Sequence, residues 1–323
     1  MMPAESSGST DPRYTLHYLP PNSELWGGLL PQFILRVAVV ENVAFANWAG
    51  ERLTRATRKN AAMLALADGV LLGFVLFEIE EGVAEVTFPW CRENDGDLAT
   101  ALLTASLQVI QEDPTVRDIR AERQLLPDNQ DTSSLVAAGF SCHWRRRMGL
   151  ELPYWSTEPQ VPPGYHLARW NILYLDAAVA TVCAANAGTL DSKLYYTFFG
   201  DSFAECRKGV LSILAGRYGS LNHAATLCAF AGQELVGVNL VIGGENESAS
   251  IIEISVSPLH QGKGIGRALM IAALRELKQQ YVTRVELAVT VANTRALHLY
   301  ESLGFTAYND FPVCVWPRDG GMR

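Results

Sequence analysis

The stretch richest in chemical information is SVSPLHQGKGIGRAL, residues 255–269, in which glycines alternate with other residues just before a helix-like pattern. Gly262, Gly264 and Gly266 have no Cβ atom, so successive backbone N–H groups can approach and encircle an anion at the positive end of that helix. Lys263 and Arg267 add positive charge beside them. The pattern predicts a site that fits a pyrophosphate.

Two common phosphate-binding motifs do not match this stretch. No Lys-Ser or Lys-Thr pair follows the last glycine, as a nucleoside-triphosphate loop requires. The turn follows a predicted antiparallel meander instead of opening a βαβ unit, which argues against NAD binding. Taken alone, a Gly-x-Gly-x-Gly turn is equally compatible with a tight strand-to-helix connection that binds no ligand.

A second motif follows the first. The pattern V-x-P-x-x-Q-G-x-G-I-G-x-A-L begins at Val256, and N-x-x-A-x-x-L-Y-x-x-x-G-F begins at Asn293. Together they closely resemble the GCN5-related N-acetyltransferase (GNAT) superfamily over residues 253–305. The resemblance implies an enzyme that takes an acetyl group from acetyl-CoA, and it favours a ligand-binding loop over an empty turn.

The resemblance also implies roles for individual residues. A splayed strand would bind the pantetheine arm of CoA through the backbone of Ile254, Ser255 and Val256, with the Val256 N–H polarising the thioester carbonyl. The following loop would bind the pyrophosphate, and it contains Gln261, Gly262, Lys263, Gly264, Ile265, Gly266 and Arg267.

Direct attack of an amine on a thioester needs a neutral amine and a proton source for sulfur, but no metal and no covalent intermediate. By resemblance, Asn293 contacts the cofactor arm and Tyr300 protonates the departing thiolate; the alternative for Tyr300 is a core position on an amphipathic helix. Glu253 is the candidate base, with a solvated strand position and a water chain as alternatives. His260 and His298 are interpreted as surface histidines.

The elements that must position these residues follow from hydrophobic periodicity. In the second half, helices are predicted at 171–187 and 200–216, followed by a three-stranded antiparallel meander at 224–230, 234–242 and 249–256. A helix at 264–280, a strand at 282–290, a helix at 293–303 and final strands near 305–316 complete the prediction.

The two halves of the chain repeat. Gly73 and Gly237 are 164 residues apart, Ala101 and Ala268 are 167 apart, and Gly139 and Gly304 are 165 apart, so the offset is nearly constant. The predicted fold class is α+β with three layers, as two tandem acyl-CoA N-acyltransferase domains, each a mixed, mainly antiparallel sheet flanked by helices. The proline-rich LPYWSTEPQVPPG predicts the boundary. Residues 1–13 are predicted to form a flexible tail and residues 14–152 a degenerate GNAT-like domain. Residues 153–317 are predicted to form a CoA-binding GNAT domain, and residues 318–323 a second tail.

The first half has lost the motif. Alignment on the repeat places Asn94, Asp95, Gly96 and Asp97 opposite the first residues of the glycine loop, so two carboxylates stand where a phosphate would bind. Leu135 stands opposite Tyr300. We therefore interpret the first domain as a decayed copy that helps to shape the acceptor cleft, as in tandem members of the superfamily.

Composition limits the partners. The net charge of −8, from 34 acidic and 26 basic residues, argues against nucleic acid, and the apolar runs are too short to cross a membrane. The N-terminal sequence lacks a secretory pattern, which predicts a cytoplasmic protein. Six scattered cysteines predict reduced thiols used as small apolar residues.

The acceptor is predicted as a primary amine of a small molecule, possibly cationic. Its candidate contacts lie in or directly after GTLDSKLYYTFFGDSF, residues 188–203. Carboxylates there could hold the amine and aromatic rings could form the walls of its site; an aromatic interdomain contact is the alternative. These residues are Asp191, Asp201, Glu205, Tyr195, Tyr196, Phe198 and Phe199. The predicted function is thus an N-acetyltransferase with a catalytic C-terminal domain, and the alternative is a non-catalytic acyl-CoA-binding sensor or interaction module.

Overall fold

The chain passes between two folding units at two places. A computed structural model describes residues 13–23, 60–123, 131–195, 199, 202–244 and 248–316. Unit 1 contains Met1–His143 and Pro312–Arg323, and unit 2 contains Trp144–Phe311. The units divide inside two strands, at 143/144 and 311/312, whereas the sequence analysis placed a single boundary at 152/153.

Unit 1 contains a mixed sheet. Its strands are β1 (Thr15–Leu19), β2 (Asn60–Ala67), β3 (Val70–Glu80), β4 (Val83–Thr87), the short β5 (Trp90–Cys91), β6 (Asp118–Arg123), the start of β7 (Ser141–Glu151) and, from the C-terminus, the end of β13 (Thr306–Val315). Strands β1 to β4 pair antiparallel in chain order, β4 pairs parallel with β6, and β6 pairs antiparallel with the end of β13.

Local sequence explains the main elements of unit 1. The β2–β3 hairpin turns at Asp68 and Gly69, whose φ angles of 49° and 73° give the primed turn that suits the twist of paired strands. Helix α1 (Gly96–Gln111) starts at the cap Asp95 and buries an apolar face that includes Leu102 and Ile110. Helix α2 (Ser133–Ala137) follows β6. These elements enclose one apolar core.

Unit 2 has a sheet in the order β8 (Tyr165–Arg169), β9 (Leu227–Ala231), β10 (Glu234–Gly243), β11 (Ser248–Val256), β12 (Arg284–Thr290), and then the unit 2 part of β7. Only β11 and β12 pair in parallel; the other neighbours are antiparallel. The predicted meander is therefore present.

Helices cover both faces of this sheet. One core contains apolar residues of α3 (Leu175–Asn186) and α5 (Phe203–Leu214), and the other contains those of α6 (Ile265–Gln279) and α7 (Thr294–Ser302). Because side chains alternate along a strand, neighbours such as Cys228 and Ala229 on β9 enter different cores. The short α4 (Leu190–Leu194) lies between α3 and α5 in the chain.

The repeat predicted from the sequence is visible in the element order. Strands β2, β3 and β4, helix α1, β6, α2 and β7 recur as β9, β10, β11, α6, β12, α7 and β13. Gly139 and Gly304 end the equivalent helices α2 and α7 with φ angles of 98° and 95°. The predicted fold class is confirmed. The elements predicted for the second half begin and end within four residues of their predicted bounds, and 305–316 forms one strand, but β8 and α4 were not predicted.

The prediction that all six cysteines are reduced is wrong. Cys142 and Cys314 form a disulfide within unit 1, with their Cα atoms 3.9 Å apart, while Cys91, Cys183, Cys206 and Cys228 are thiols. The two partners are 172 residues apart in the chain and acquire their proximity only from the fold. Over the part of the chain that the structure describes, no helix is long and apolar enough to cross a membrane.

Candidate functional site

A slot opens in the sheet of unit 2 between the parallel strands β11 and β12. The two strands pair only where residues 248–250 lie beside residues 284–286. Beyond these pairs β11 continues to Val256 and β12 to Thr290, and the described residues of the two strands make no further pairs with each other. The diverging strands leave one edge of β11 open to a ligand.

The antiparallel ladder between β10 and β11 determines which backbone groups face the slot. Ser257 donates its N–H to the carbonyl of Val236 at 2.8 Å, and the register along the end of β11 is unbroken. Hydrogen-bonded and non-hydrogen-bonded pairs alternate in such a ladder, so the N–H and C=O groups of Ile254 and Val256 point away from β10. These groups face the slot, whereas those of Ser255 face β10.

The glycine loop leads from β11 into helix α6. Gly262 and Gly264 have φ angles of 79° and 86°, a left-handed conformation that glycine adopts without a steric penalty, and Gly264 is the N-cap of α6. The N–H groups of the first helical turn have no acceptor within the helix. The loop therefore presents backbone donors at the positive end of the helix.

Helix α7 also begins beside this loop, and both helix starts border one cavity of about 310 Å³. Neither helix has an acidic residue in its first turn, and Arg267 and Arg295 lie there instead. An anion would be stabilised by both helix dipoles and both guanidinium groups. The cavity is lined by Ile254, Val256, His260, Gln261, Gly262, Gly264, Ile265, Gly266, Arg267, Asn293, Arg295, Ala296, Leu299 and Tyr300.

Most residues predicted to hold the cofactor line this cavity. Two do not: Ser255 is buried on the other face of β11, and Lys263 is exposed on the loop. The sequence analysis missed His260 as a cavity residue. It is half-buried, and its Nδ1 lies 3.0 Å from the hydroxyl of Tyr165. It also missed Arg295, although a basic residue in the first turn of a helix is itself a signal, because the helix dipole disfavours it.

Glu253 lies on the face of β11 opposite the cavity. It is buried, so its interpretation as a solvated strand residue is wrong. The Ser255 hydroxyl donates a hydrogen bond to Glu253 Oε1 at 2.5 Å. The pKa of Glu253 is raised to about 7, mainly by burial and also by the charge of Asp191, and these two causes outweigh the lowering effects of Ser255, Asn186 and Arg145. At neutral pH this carboxyl can accept and release a proton.

A polar cluster around Asp191 borders Glu253. Asp191 on α4 accepts a hydrogen bond from the Thr290 hydroxyl at 2.5 Å, and its Oδ1 lies 3.5 Å from Arg145 Nη1. The Arg145 guanidinium also donates to the carbonyl of Ala288 at 2.9 Å and lies 4.7 Å above the ring centre of Tyr195. The cluster links β7, α4 and β12 at the open end of the slot.

Tyr300 connects the two sides of the site. It lines the cavity, yet the charges of Glu253 and Asp191 both act on its hydroxyl. Burial, followed by these two charges, raises the pKa of Tyr300 well above its usual value, so the hydroxyl stays protonated near neutral pH. The ring also packs against Phe305 with centroids 6.1 Å apart, so the side chain belongs to the core as well as to the cavity.

The predicted acceptor residues divide into three groups. Asp191 and Tyr195 belong to the polar cluster described above. Glu205 is half-buried in the first turn of α5, and Phe199 is buried in the core beneath α3 and α5. The other three, Tyr196, Phe198 and Asp201, lie outside the described residues.

The equivalent region of unit 1 differs in two ways. All residues of strand β4, Val83–Thr87, pair with β6, with a register shift between Val86 and Thr87, so the paired strands do not separate as β11 and β12 do. The Asp95 carboxylate accepts hydrogen bonds from the N–H groups of Asp97 and Leu98 at 3.1 and 3.0 Å. The donors that would meet a phosphate at the start of α1 are thus bound by the protein's own carboxylate.

The slot, the glycine loop and the tandem mixed sheets define the class of acyl-CoA N-acyltransferase folds. Residues 193–305 match the model of the acetyltransferase (GNAT) family. A GCN5-related N-acetyltransferase from Sphaerobacter thermophilus has a similar structure, with a TM-score of 0.62, 17% identity, and coverage of 97% of this chain and 98% of that one. The family match thus covers residues 193–305, about a third of this chain, and the similarity of fold extends over nearly all of it.

Two further comparisons extend the match. A tandem GNAT protein from the clavulanic acid biosynthesis pathway shares the fold at 16% identity, with a TM-score of 0.53 and coverage of 95% of this chain and 100% of that one. Mycothiol acetyltransferase from Thermobispora bispora is 41% identical over 66 residues, 20% of this chain and 22% of the relative. The chain thus matches about a fifth of the length of this curated relative.

Proposed function

We propose that the protein is an N-acetyltransferase that moves an acetyl group from acetyl-CoA to a primary amine of a small molecule, with its site in unit 2. One observation carries this proposal. The slot between β11 and β12 has backbone donors and an anion-binding cavity on one side, and a buried carboxyl with a pKa of about 7 on the other.

The cavity fits the polar part of acetyl-CoA. The pyrophosphate of acetyl-CoA would bind at Gly262, Gly264 and the start of α6, where N–H groups are available. The pantetheine arm would pair with the outward-facing groups of Ile254 and Val256 in the slot, as an added strand does. Asn293, which caps α7 by accepting a hydrogen bond from the Ala296 N–H at 3.2 Å, lies where it can contact the arm.

The reacting end would then lie at the open end of the slot. Acetyl-CoA supplies an acetyl group activated as a thioester. The Val256 N–H can donate to the thioester oxygen, Glu253 on the other face can take a proton from the incoming ammonium group, and the neutral amine can then attack the thioester carbon. As the C–S bond breaks, Tyr300 can give a proton to the departing sulfur and recover one from the nitrogen of the new amide. Because its pKa is near 7, Glu253 can accept its proton at neutral pH without a metal.

The electrostatics of the second face support an amine acceptor. Glu253 and Asp191 carry two carboxylates against the single positive charge of Arg145. An ammonium group would restore the balance, and the overall charge of −8 favours the approach of a cation. The similarity to mycothiol acetyltransferase from Thermobispora bispora supports acetyl transfer to a small molecule.

The test is transfer of acetyl from acetyl-CoA to a panel of amino sugars, polyamines and free amino acids. Release of the CoA thiol and the mass of the acetylated amine are measured together. We expect at least one primary amine to be acetylated at a rate that Glu253→Gln lowers strongly. Tight binding of CoA with no turnover on any amine would overturn the proposal and favour the acyl-CoA sensor.

A further inference from the structure

Arg295 occupies a position that helix electrostatics disfavour. It lies in the first turn of α7, directly after the Asn293 cap and Thr294, where the helix dipole is positive. No acidic residue lies in that turn to compensate for its charge. An exposed arginine at a helix start is therefore most stable beside an anion that other groups hold in place.

The guanidinium of Arg295 lies beside the glycine loop. Its Nη2 is 3.8 Å from the point where a Cβ atom on Gly262 would lie, and both residues line the cavity. Arg267, the other arginine of the cavity, instead donates from Nη1 to the Ser302 hydroxyl at 2.7 Å. A phosphate held by the N–H groups of the loop would thus lie within reach of Arg295.

Gln261 holds the guanidinium in this place. Arg295 Nη1 donates to Gln261 Oε1 at 2.8 Å, and Gln261 Nε2 donates to the Val256 carbonyl at 2.9 Å. The chain of contacts runs from the start of α7 to the end of β11. Since Arg has five N–H donors and this contact uses one, the guanidinium can bind an anion without releasing Gln261.

We propose that Arg295 binds the pyrophosphate of CoA directly, with Gln261 as the positioning residue that aims it and at the same time fixes the Val256 peptide. This inference rests on the proposed use of acyl-CoA. It adds a side-chain cation to a site in which the glycine loop supplies backbone donors. The planar fork of arginine suits two phosphate oxygens at once, which lysine cannot match.

The experiment measures binding by calorimetry, with no acceptor present, for CoA and 3′-dephospho-CoA. These ligands share the pyrophosphate and differ in the 3′-phosphate. We expect Arg295→Gln to weaken the affinities for CoA and 3′-dephospho-CoA by the same factor, roughly 10- to 100-fold for a lost charged hydrogen bond. The affinities of Arg295→Lys should lie between those of wild type and Arg295→Gln. Arg275 lies on α6 and forms an exposed ion pair with Glu158. Arg275→Gln removes the same charge as Arg295→Gln and should change neither affinity by more than about twofold.

Each other result overturns the inference. Loss of CoA affinity with 3′-dephospho-CoA unaffected would place Arg295 on the 3′-phosphate. Unchanged affinity for both would make Arg295 a surface residue, and the proposed acetyl transfer would be unaffected by that result. A wild-type protein that binds neither ligand would overturn both proposals. Thermal unfolding of each variant, compared with wild type, identifies any loss of affinity that comes from misfolding. If Arg295→Gln is misfolded, the affinities of Arg295→Lys decide whether the residue binds the pyrophosphate.

Discussion

The hydroxyl of Ser255 donates a hydrogen bond to the Glu253 carboxylate two residues earlier on the same strand face. A hydrogen bond of this kind stabilises the ionised carboxylate and lowers its pKa. The pKa is nevertheless raised to about 7, because burial outweighs the hydrogen bond. The larger effect of burial thus brings Glu253 near the midpoint between its two protonation states at neutral pH.

The stability of the protein should depend on pH through Glu253. Its pKa rises from 4.5 to about 7 on folding, so between these values the folded state binds the extra proton and stability falls as pH rises. The loss should reach roughly 3 kcal/mol by pH 8. Glu253→Gln cannot ionise and should escape this loss, of which about 2 kcal/mol falls between pH 5.5 and 8, the two values at which urea unfolding is measured. Glu301→Gln, on the exposed side of α7, is the control. An equal pH dependence in wild type and Glu253→Gln would contradict the expectation.

The pH profile of acetyl transfer should shift in opposite directions in two variants. Asp191 raises and Arg145 lowers the pKa of Glu253. The rise in kcat/KM with pH should therefore have its midpoint near 7 in wild type, lower in Asp191→Asn and higher in Arg145→Gln. Asn at this position can still accept the hydrogen bond from Thr290. Midpoints that shift the same way, or not at all, would show that another group controls the reaction.

Tyr300→Phe should separate chemistry from binding. If the hydroxyl protonates sulfur, its removal should lower kcat by roughly 10² to 10⁴ and leave acetyl-CoA affinity nearly unchanged. The free energy of unfolding should fall by only about 1 kcal/mol, because one oxygen is lost and the ring still packs against Phe305. Tyr281→Phe, at a ring that is 86% exposed, is the matched control. Full turnover in Tyr300→Phe would transfer the proton donor's role to another group.

One CoA should bind per chain. Gly264→Asp should abolish binding in calorimetry, because a carboxylate would enter the anion site and the φ of 86° disfavours a side chain. Gly264→Asn adds a side chain of similar size without charge, and should retain weak binding because asparagine tolerates this conformation. Gly96→Asp, at the start of α1 in unit 1, should leave the stoichiometry at one. A value near two in the wild type would show that unit 1 also binds CoA.

The disulfide between Cys142 and Cys314 predicts a count of reactive thiols. Denatured, unreduced protein should bind four equivalents of an alkylating reagent, and reduced protein six. The bond spans 172 residues, so its reduction should lower the stability of the chain by up to roughly 5 kcal/mol in the chain-entropy description. Cys142→Ser should show the same loss without reductant. Six reactive thiols before reduction would exclude the disulfide.

The glycine loop could be predicted because its chemistry is local. Gly262 and Gly264 need a left-handed backbone and lie directly before the helix that they cap, so residue type and spacing together specify the turn. Asn293 likewise announces the start of α7 through its capping side chain. Features of this kind are encoded within a few residues of the chain.

The second face of the site could not be predicted in the same way. Arg145, Asp191 and Glu253 come from β7, α4 and β11, and only the packing of these distant segments brings their charges together. The burial of Glu253 depends on the same packing. Cys142 and Cys314 are a comparable case, since no local spacing marks their pairing.

The full pairing of β4 with β6 has a consequence for how a duplicated domain loses its ligand. Backbone hydrogen bonds along Val83–Thr87 keep β4 and β6 together, and these bonds do not involve the side chains of the loop. Grafting QGKGIG in place of NDGDLA, residues 94–99, would restore the phosphate donors but would provide no open strand edge for the pantetheine arm. CoA binding by the first copy would therefore also require β4 to separate from β6, so single substitutions in the loop would not restore it.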